Sequence, residues 1–92
     1  MRDSDREVAI RASLERFEVP EHLHEGLVNY LVFRIEPGHF LCEVLANNLR
    51  GAFERGDRAA LDGLEALVSW LYNEAPSSAW GSREAIDAWL AT

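Results

Sequence analysis

With 48% hydrophobic residues, among them three Trp, four Phe and two Tyr, this 92-residue chain has enough apolar surface for one folded core, and too few residues for two independently stable domains. Nine Arg and no Lys stand against sixteen Asp and Glu, and the resulting net charge of −7 opposes direct binding to nucleic acid unless a local Arg cluster outweighs it. Uncharged runs such as 66–73 fall far below the roughly 20 apolar residues a membrane span requires, which argues against membrane insertion.

The first seven residues carry three acids and no apolar run behind a basic start. They do not read as a secretory signal, and the expected location is the cytoplasm. Arg2, Arg6, Arg11 and Arg16 are interleaved with Asp3, Asp5, Glu7, Glu15 and Glu18, so this stretch offers no basic patch.

Residues 5–16 contain no Pro or Gly, and Ile10, Leu14 and Phe17 recur at spacings of four and three, which predicts a first amphipathic helix. Val19-Pro20 ends it, because a proline disfavours helical geometry in the residue before it and suits the first turn of a new helix. A second helix therefore begins near Pro20, with Leu23, Leu27, Tyr30 and Leu31 on one side and Val28 and Phe33 widening the stripe. Gly26 lies inside it, at a cost of about 1 kcal/mol relative to Ala, and is either tolerated or the point where another helix crosses closely. Residues 31–35 have strand-like side chains, but one strand has nothing to pair with, so helix is preferred.

Pro37-Gly38 is the strongest punctuation in the middle of the chain. From there to Phe53, the residues Phe40, Leu41, Val44, Leu45, Leu49, Ala52 and Phe53 recur at helical spacing and predict one central helix. Asn47 and Asn48 interrupt its stripe, either as caps toward the next helix or as residues facing water. Gly56 is a stop and Asp57 a good N-cap. Leu61, Leu64, Leu67, Val68 and Leu71 then predict a fourth helix over 58–73, closed by residues 75–78. Ser82 caps a short last helix containing Ile86, Trp89 and Leu90. The expected architecture is all-α: a compact bundle of about five short helices in one domain, 1–92, with 20–91 as its core and the place of 1–18 left open between core and periphery.

The candidate chemistry is sparse. His39 and Cys42 are three apart on one helical face, a spacing compatible with joint metal ligation, but two ligands do not make a site, and His22 and His24 point apart near a helix start. His39 with Glu36 or Glu43 is the nearest local acid–base pair, and an ordinary surface pair is the commoner meaning of such spacing. Ser77, Ser78 and Ser82 occupy turns and caps and lack a strand-turn-helix nucleophile context. Gly38 and Gly81 do not make a phosphate-cradling loop. The reading is therefore a protein with no catalytic residues, no metal and no cofactor.

Two surfaces remain. The stretch 70–76, followed by Trp80-Gly81-Ser82 and Trp89, is dense in aromatic residues, which either fold the C-terminal third onto itself or form a partner surface, since Trp and Tyr are over-represented at binding hot spots. Tyr72, Trp80 and Trp89 are the partner-binding candidates. Separately, Glu15, Glu18, Glu21 and Glu25 recur at spacings of three and four and form a candidate acidic face that could imitate duplex phosphates.

The segments Pro37-Gly38-His39-Phe40-Leu41, Val44-Leu45-Ala46-Asn47-Asn48-Leu49 and Trp70-Leu71-Tyr72-Asn73-Glu74-Ala75-Pro76, then Trp80-Gly81-Ser82, together resemble a group of small phage and prophage proteins of unknown function. The likeness runs over roughly 20–90 and includes Tyr30 and Ile35-Glu36-Pro37-Gly38. It departs where Asn47-Asn48 replaces an expected Asn-Asp and Gly56-Asp57 an expected Ala-Asp. The resemblance implies a viral or prophage setting inside a bacterial host and carries no site residues. The resulting expectation is a non-enzymatic accessory protein that binds and modulates a host or phage protein, with no direct nucleic-acid or membrane partner. The alternatives are an acidic DNA mimic that inhibits a nucleic-acid-binding protein, and a self-assembling structural protein, in the simplest case a homodimer burying the first helix.

Overall fold

The computed structural model describes residues 2–92. These residues form seven α-helices and two single 3-10 turns: α1 (Arg2–Arg16), the turn Glu21–Leu23, α2 (His24–Phe33), α3 (His39–Leu45), α4 (Leu49–Arg55), α5 (Arg58–Asp62), α6 (Leu64–Glu74), the turn Ser77–Ala79 and α7 (Arg83–Ala91). The all-α bundle follows from the apolar periodicity, but the count exceeds the five helices expected. No described helix is long and apolar enough to cross a membrane.

The extra helices come from two interruptions that periodicity cannot register. The predicted central helix divides into α3 and α4 because Asn47 adopts a left-handed conformation, φ 62°, and the Asn48 amide reaches back to the Glu43 carbonyl at 2.8 Å. Asn is among the few non-glycine residues that enter this region readily. Asn48 then caps the new helix, its side-chain oxygen accepting from the Gly51 amide at 3.1 Å. The predicted fourth helix divides into α5 and α6 at Gly63, which packs so tightly on the Pro20 ring that any Cβ would collide with it.

Other boundaries follow the predicted signals more closely. Asp57 caps α5 through the Ala60 amide at 2.8 Å, and Ser82 caps α7 through the Ala85 amide at 3.0 Å. The stop of α1 comes just before Val19-Pro20, at Glu18, which takes φ 59° while the Val19 amide bonds the Leu14 carbonyl at 3.0 Å. Arg34, φ 58°, ends α2, so the strand-like residues through Phe33 are helical and Ile35 lies outside. Gly26 is where another helix comes close: a Cβ there would meet Leu41 Cδ1 of α3 at 2.8 Å.

The core is built from Leu14, Leu27, Tyr30, Leu45, Leu67, Trp70, Leu71 and Ile86, all essentially inaccessible to water. α1 belongs to it: it packs on α2 and α6 and places Leu14 wholly inside. Full burial of one such aliphatic side chain contributes about 1.5–3 kcal/mol, so this cluster is the main source of stability. The aromatic residues in and beside it direct their polar atoms inward. Trp70 Nε1 donates to Ser13 Oγ at 2.8 Å, and Ser13 Oγ donates on to the Ile10 carbonyl at 2.8 Å. Tyr30 donates its hydroxyl to the Ala79 carbonyl at 2.6 Å, and Trp89 Nε1 donates to the Tyr30 carbonyl at 3.1 Å. Burial pushes the Tyr30 phenol up to about 12. Among the described residues no buried side-chain nitrogen or oxygen lacks a partner.

Candidate binding face

Whereas α1, α2, α6 and α7 each place large side chains in the core, α4 places none there. It buries only Gly51 and Ala52, and a Cβ on Gly51 would collide with the Glu43 carboxylate, so the small residues let α4 lie close on α3. Leu49 and Phe53, one turn apart, are consequently carried outward and are 72% and 70% exposed. On α6, the inward positions are Leu67, Trp70 and Leu71, which leaves Val68 and Tyr72, again one turn apart, 41% and 80% exposed.

These residues form one continuous apolar face. Leu49, Phe53, Leu61 and Leu64 line a depression between α4, α5 and the start of α6. Leu49 and Leu64 also line the next depression with Val68 and Trp80, and Trp80 with Asn47 leads on to Tyr72. Scattered exposed apolar side chains are normal on a folded protein, but a contiguous run of this kind is less common.

The electrostatics of the face differ from the rest of the chain. Residues 49–62 hold Arg50, Arg55 and Arg58 against Glu54, Asp57 and Asp62, a neutral segment in a chain whose net charge is −7. Arg50 and Glu54 flank the apolar depression, and neither takes part in an ion pair among the described residues. Elsewhere arginines are engaged: Arg11 with Glu7 and Glu25, Arg16 with Glu74, and Arg83 with Glu36 and Asp87.

Of the three aromatic residues singled out from sequence, the structure brings two together. Tyr72 is the most exposed large hydrophobic residue of the face, and half-buried Trp80 adjoins it. Trp89 lies apart, with Arg34 stacked 3.8 Å over its ring and its Nε1 committed to the Tyr30 carbonyl. Sequence reasoning missed Leu49 and Phe53, which periodicity assigns to the core of an unbroken helix. The signal that could have exposed them was Asn47-Asn48, a pair suited to a left-handed stop followed by a cap.

Glu15, Glu18, Glu21 and Glu25 are all exposed, but they do not make an uninterrupted anionic row. Glu25 receives Arg11 at 3.2 Å, and Arg16 lies among them with its guanidinium on Glu74 at 3.3 Å. The ligand types in the middle of the chain are dispersed as well. Cys42 Sγ is 3.3 Å from the Pro37 carbonyl and 3.7 Å from Glu36, and burial together with that carboxylate pushes the thiol above its ordinary value, which keeps it protonated and weakly nucleophilic. His24 Nε2 is 2.7 Å from the Val19 carbonyl, Glu43 accepts from Asn48, and His22 and His39 face water. Among the described residues no three His, Cys, Asp or Glu side chains converge as metal ligands. No family model, no curated protein and no solved structure matches this chain.

Proposed function

We propose that this chain is a non-catalytic binding protein that docks an apolar segment of another protein on the face made by α4 and α6. The observation that carries the reading is the pairing of two outward one-turn steps, Leu49–Phe53 and Val68–Tyr72, along one apolar face that runs through three adjoining depressions. Side chains placed this way suit the i, i+3 and i+4 positions of an amphipathic helix laid into a groove. Tyr72 and Trp80 supply the aromatic anchors typical of binding hot spots. The resemblance to small phage and prophage proteins suggests that the partner is a host or phage protein whose activity the chain modulates.

The test is capture of a partner from bacterial lysate, with and without phage infection, by the tagged chain and by Phe53→Asp and Tyr72→Asp variants. The expected result is one stoichiometric partner that survives high salt and is lost with either variant. Capture that is indifferent to both variants but abolished by salt, and by Glu15→Gln with Glu21→Gln, would transfer the function to the acidic face and the mimic reading.

A further inference from the structure

We propose that, until a partner arrives, the α4–α6 face is closed by a second copy of this chain through a twofold axis beside the middle of α4. This inference rests on the reading of that face as a docking surface and concerns how access to it is regulated.

Three observations point to a second copy as occupant. The first is charge. Two chains of net charge −7 repel one another over most of their surfaces, and the neutral segment 49–62 adds no net charge to that repulsion. The second is the pattern within that segment. Arg50 and Glu54 stand two residues to either side of Ala52, near the centre of α4 (Leu49–Arg55). A twofold crossing of two antiparallel α4 helices at that point sets Arg50 of each copy against Glu54 of the other, giving two symmetric ion pairs from groups that have no ionic partner within the described chain. An isologous interface needs such a self-complementary patch.

The third is shape and area. Phe53 stands out beside a depression floored by Leu61 and Leu64, so the face carries a projection and a hollow side by side. Phe53 and Tyr72 together leave roughly 300 Å² of aromatic side chain in water, given about 150–250 Å² for a whole one. With Leu49 and Val68 added, the patch reaches the upper part of the roughly 300–600 Å² found for the largest patch on a monomer. Including the stems of Arg50 and Glu54 and the edge of Trp80, it approaches the roughly 800 Å² each side contributes to a standard interface. A second copy would also cover the large residues of α4, which at seven residues is too short to be held by its own backbone hydrogen bonds.

The experiment is light scattering across a concentration series of the full chain, compared with Arg50→Glu and Glu54→Arg, with folding checked by circular dichroism. The wild-type chain is expected to pass from monomer to dimer as concentration rises, with dissociation at least about tenfold easier in each variant because like charges then meet twice. An equimolar mixture of the two variants is expected to restore a dimer containing one of each, since every contact is again between opposite charges. A wild-type chain that stays monomeric throughout, dimers indifferent to both variants and to Phe53→Asp, or a mixture that fails to rescue, would overturn the proposal. A monomeric chain that still loses its captured partner on Phe53→Asp would remove the dimer and leave the docking function standing, whereas a rescued dimer with no partner would do the opposite.

Discussion

The frame of α1, α2, α6 and α7 and the excursion of α4 and α5 treat their side chains in opposite ways. In the frame, Trp70, Tyr30 and Trp89 each commit a polar atom to a distant part of the chain, fixing Ser13, Ala79 and Tyr30 against them. In the excursion, the residues that go inside are Gly51, Ala52 and Ala60, and the large ones, Leu49 and Phe53, face water. The contrast separates the residues that hold the fold, spread over the frame, from the contiguous apolar face over α4 and the adjoining side of α6, to which the proposal assigns recognition.

Substitutions can break that contrast. Trp70→Ala removes a fully buried indole and orphans the Ser13 hydroxyl from one partner. It should cost about 3–5 kcal/mol, a large share of the stability of so small a domain, and denaturant unfolding followed by circular dichroism would register it. Tyr30→Phe should cost about 1–3 kcal/mol, because the Ala79 carbonyl is left without its buried donor.

The same tyrosine sets a pH dependence. Its phenol is raised from an ordinary 10.0 to about 12 in the folded chain, so the folded state holds the proton more tightly than the unfolded one. The associated stability is present in full below pH 10 and is lost as pH rises through about 12. Melting temperatures measured from pH 9 to pH 12 should fall in the wild-type chain and fall less steeply in Tyr30→Phe.

Asn47→Ala should cost about 1 kcal/mol by placing an ordinary residue at φ 62°, whereas Asn47→Gly should match or exceed the wild type. Equal melting temperatures for the two variants would mean that this stop is not what separates α3 from α4. The smallest effect on stability belongs to Phe53→Asp, expected within about 0.5 kcal/mol because the ring is exposed, although partner capture is lost. A large destabilisation by Phe53→Asp would show that the ring packs inside and that the contrast between frame and excursion is false.

Periodicity was sufficient for the frame. Leu14, Leu27, Tyr30, Leu67 and Leu71 sit at helical spacing and are buried where that spacing puts them, and Asp57 and Ser82 cap as their residue types dictate. It failed at Leu49 and Phe53 for a definite reason. A helical stripe identifies residues sharing one side of a helix only while the helix continues, and a single left-handed residue re-aims everything beyond it. Gly63 is a second case: its role depends on Pro20, a contact across 43 positions that local patterning cannot contain. Tyr72 and Trp80 were legible as candidates from residue type, but the choice of Trp80 over Trp89 required knowing that Arg34 and Tyr30 already engage Trp89.

The three frame bonds also link residues far apart in sequence, from 13 to 70, 30 to 79 and 30 to 89. They tie the beginning of the chain to its end around α4 and α5, which contribute only small buried residues of their own. The excursion can therefore open and reclose while the ties remain intact, a local fluctuation far less costly than global unfolding. Backbone amides of 49–62 should exchange with solvent deuterium well before those of 64–74, and exchange should slow selectively once the face is covered. The surface proposed to recognise a partner is thus the part of the chain expected to adjust its shape most readily.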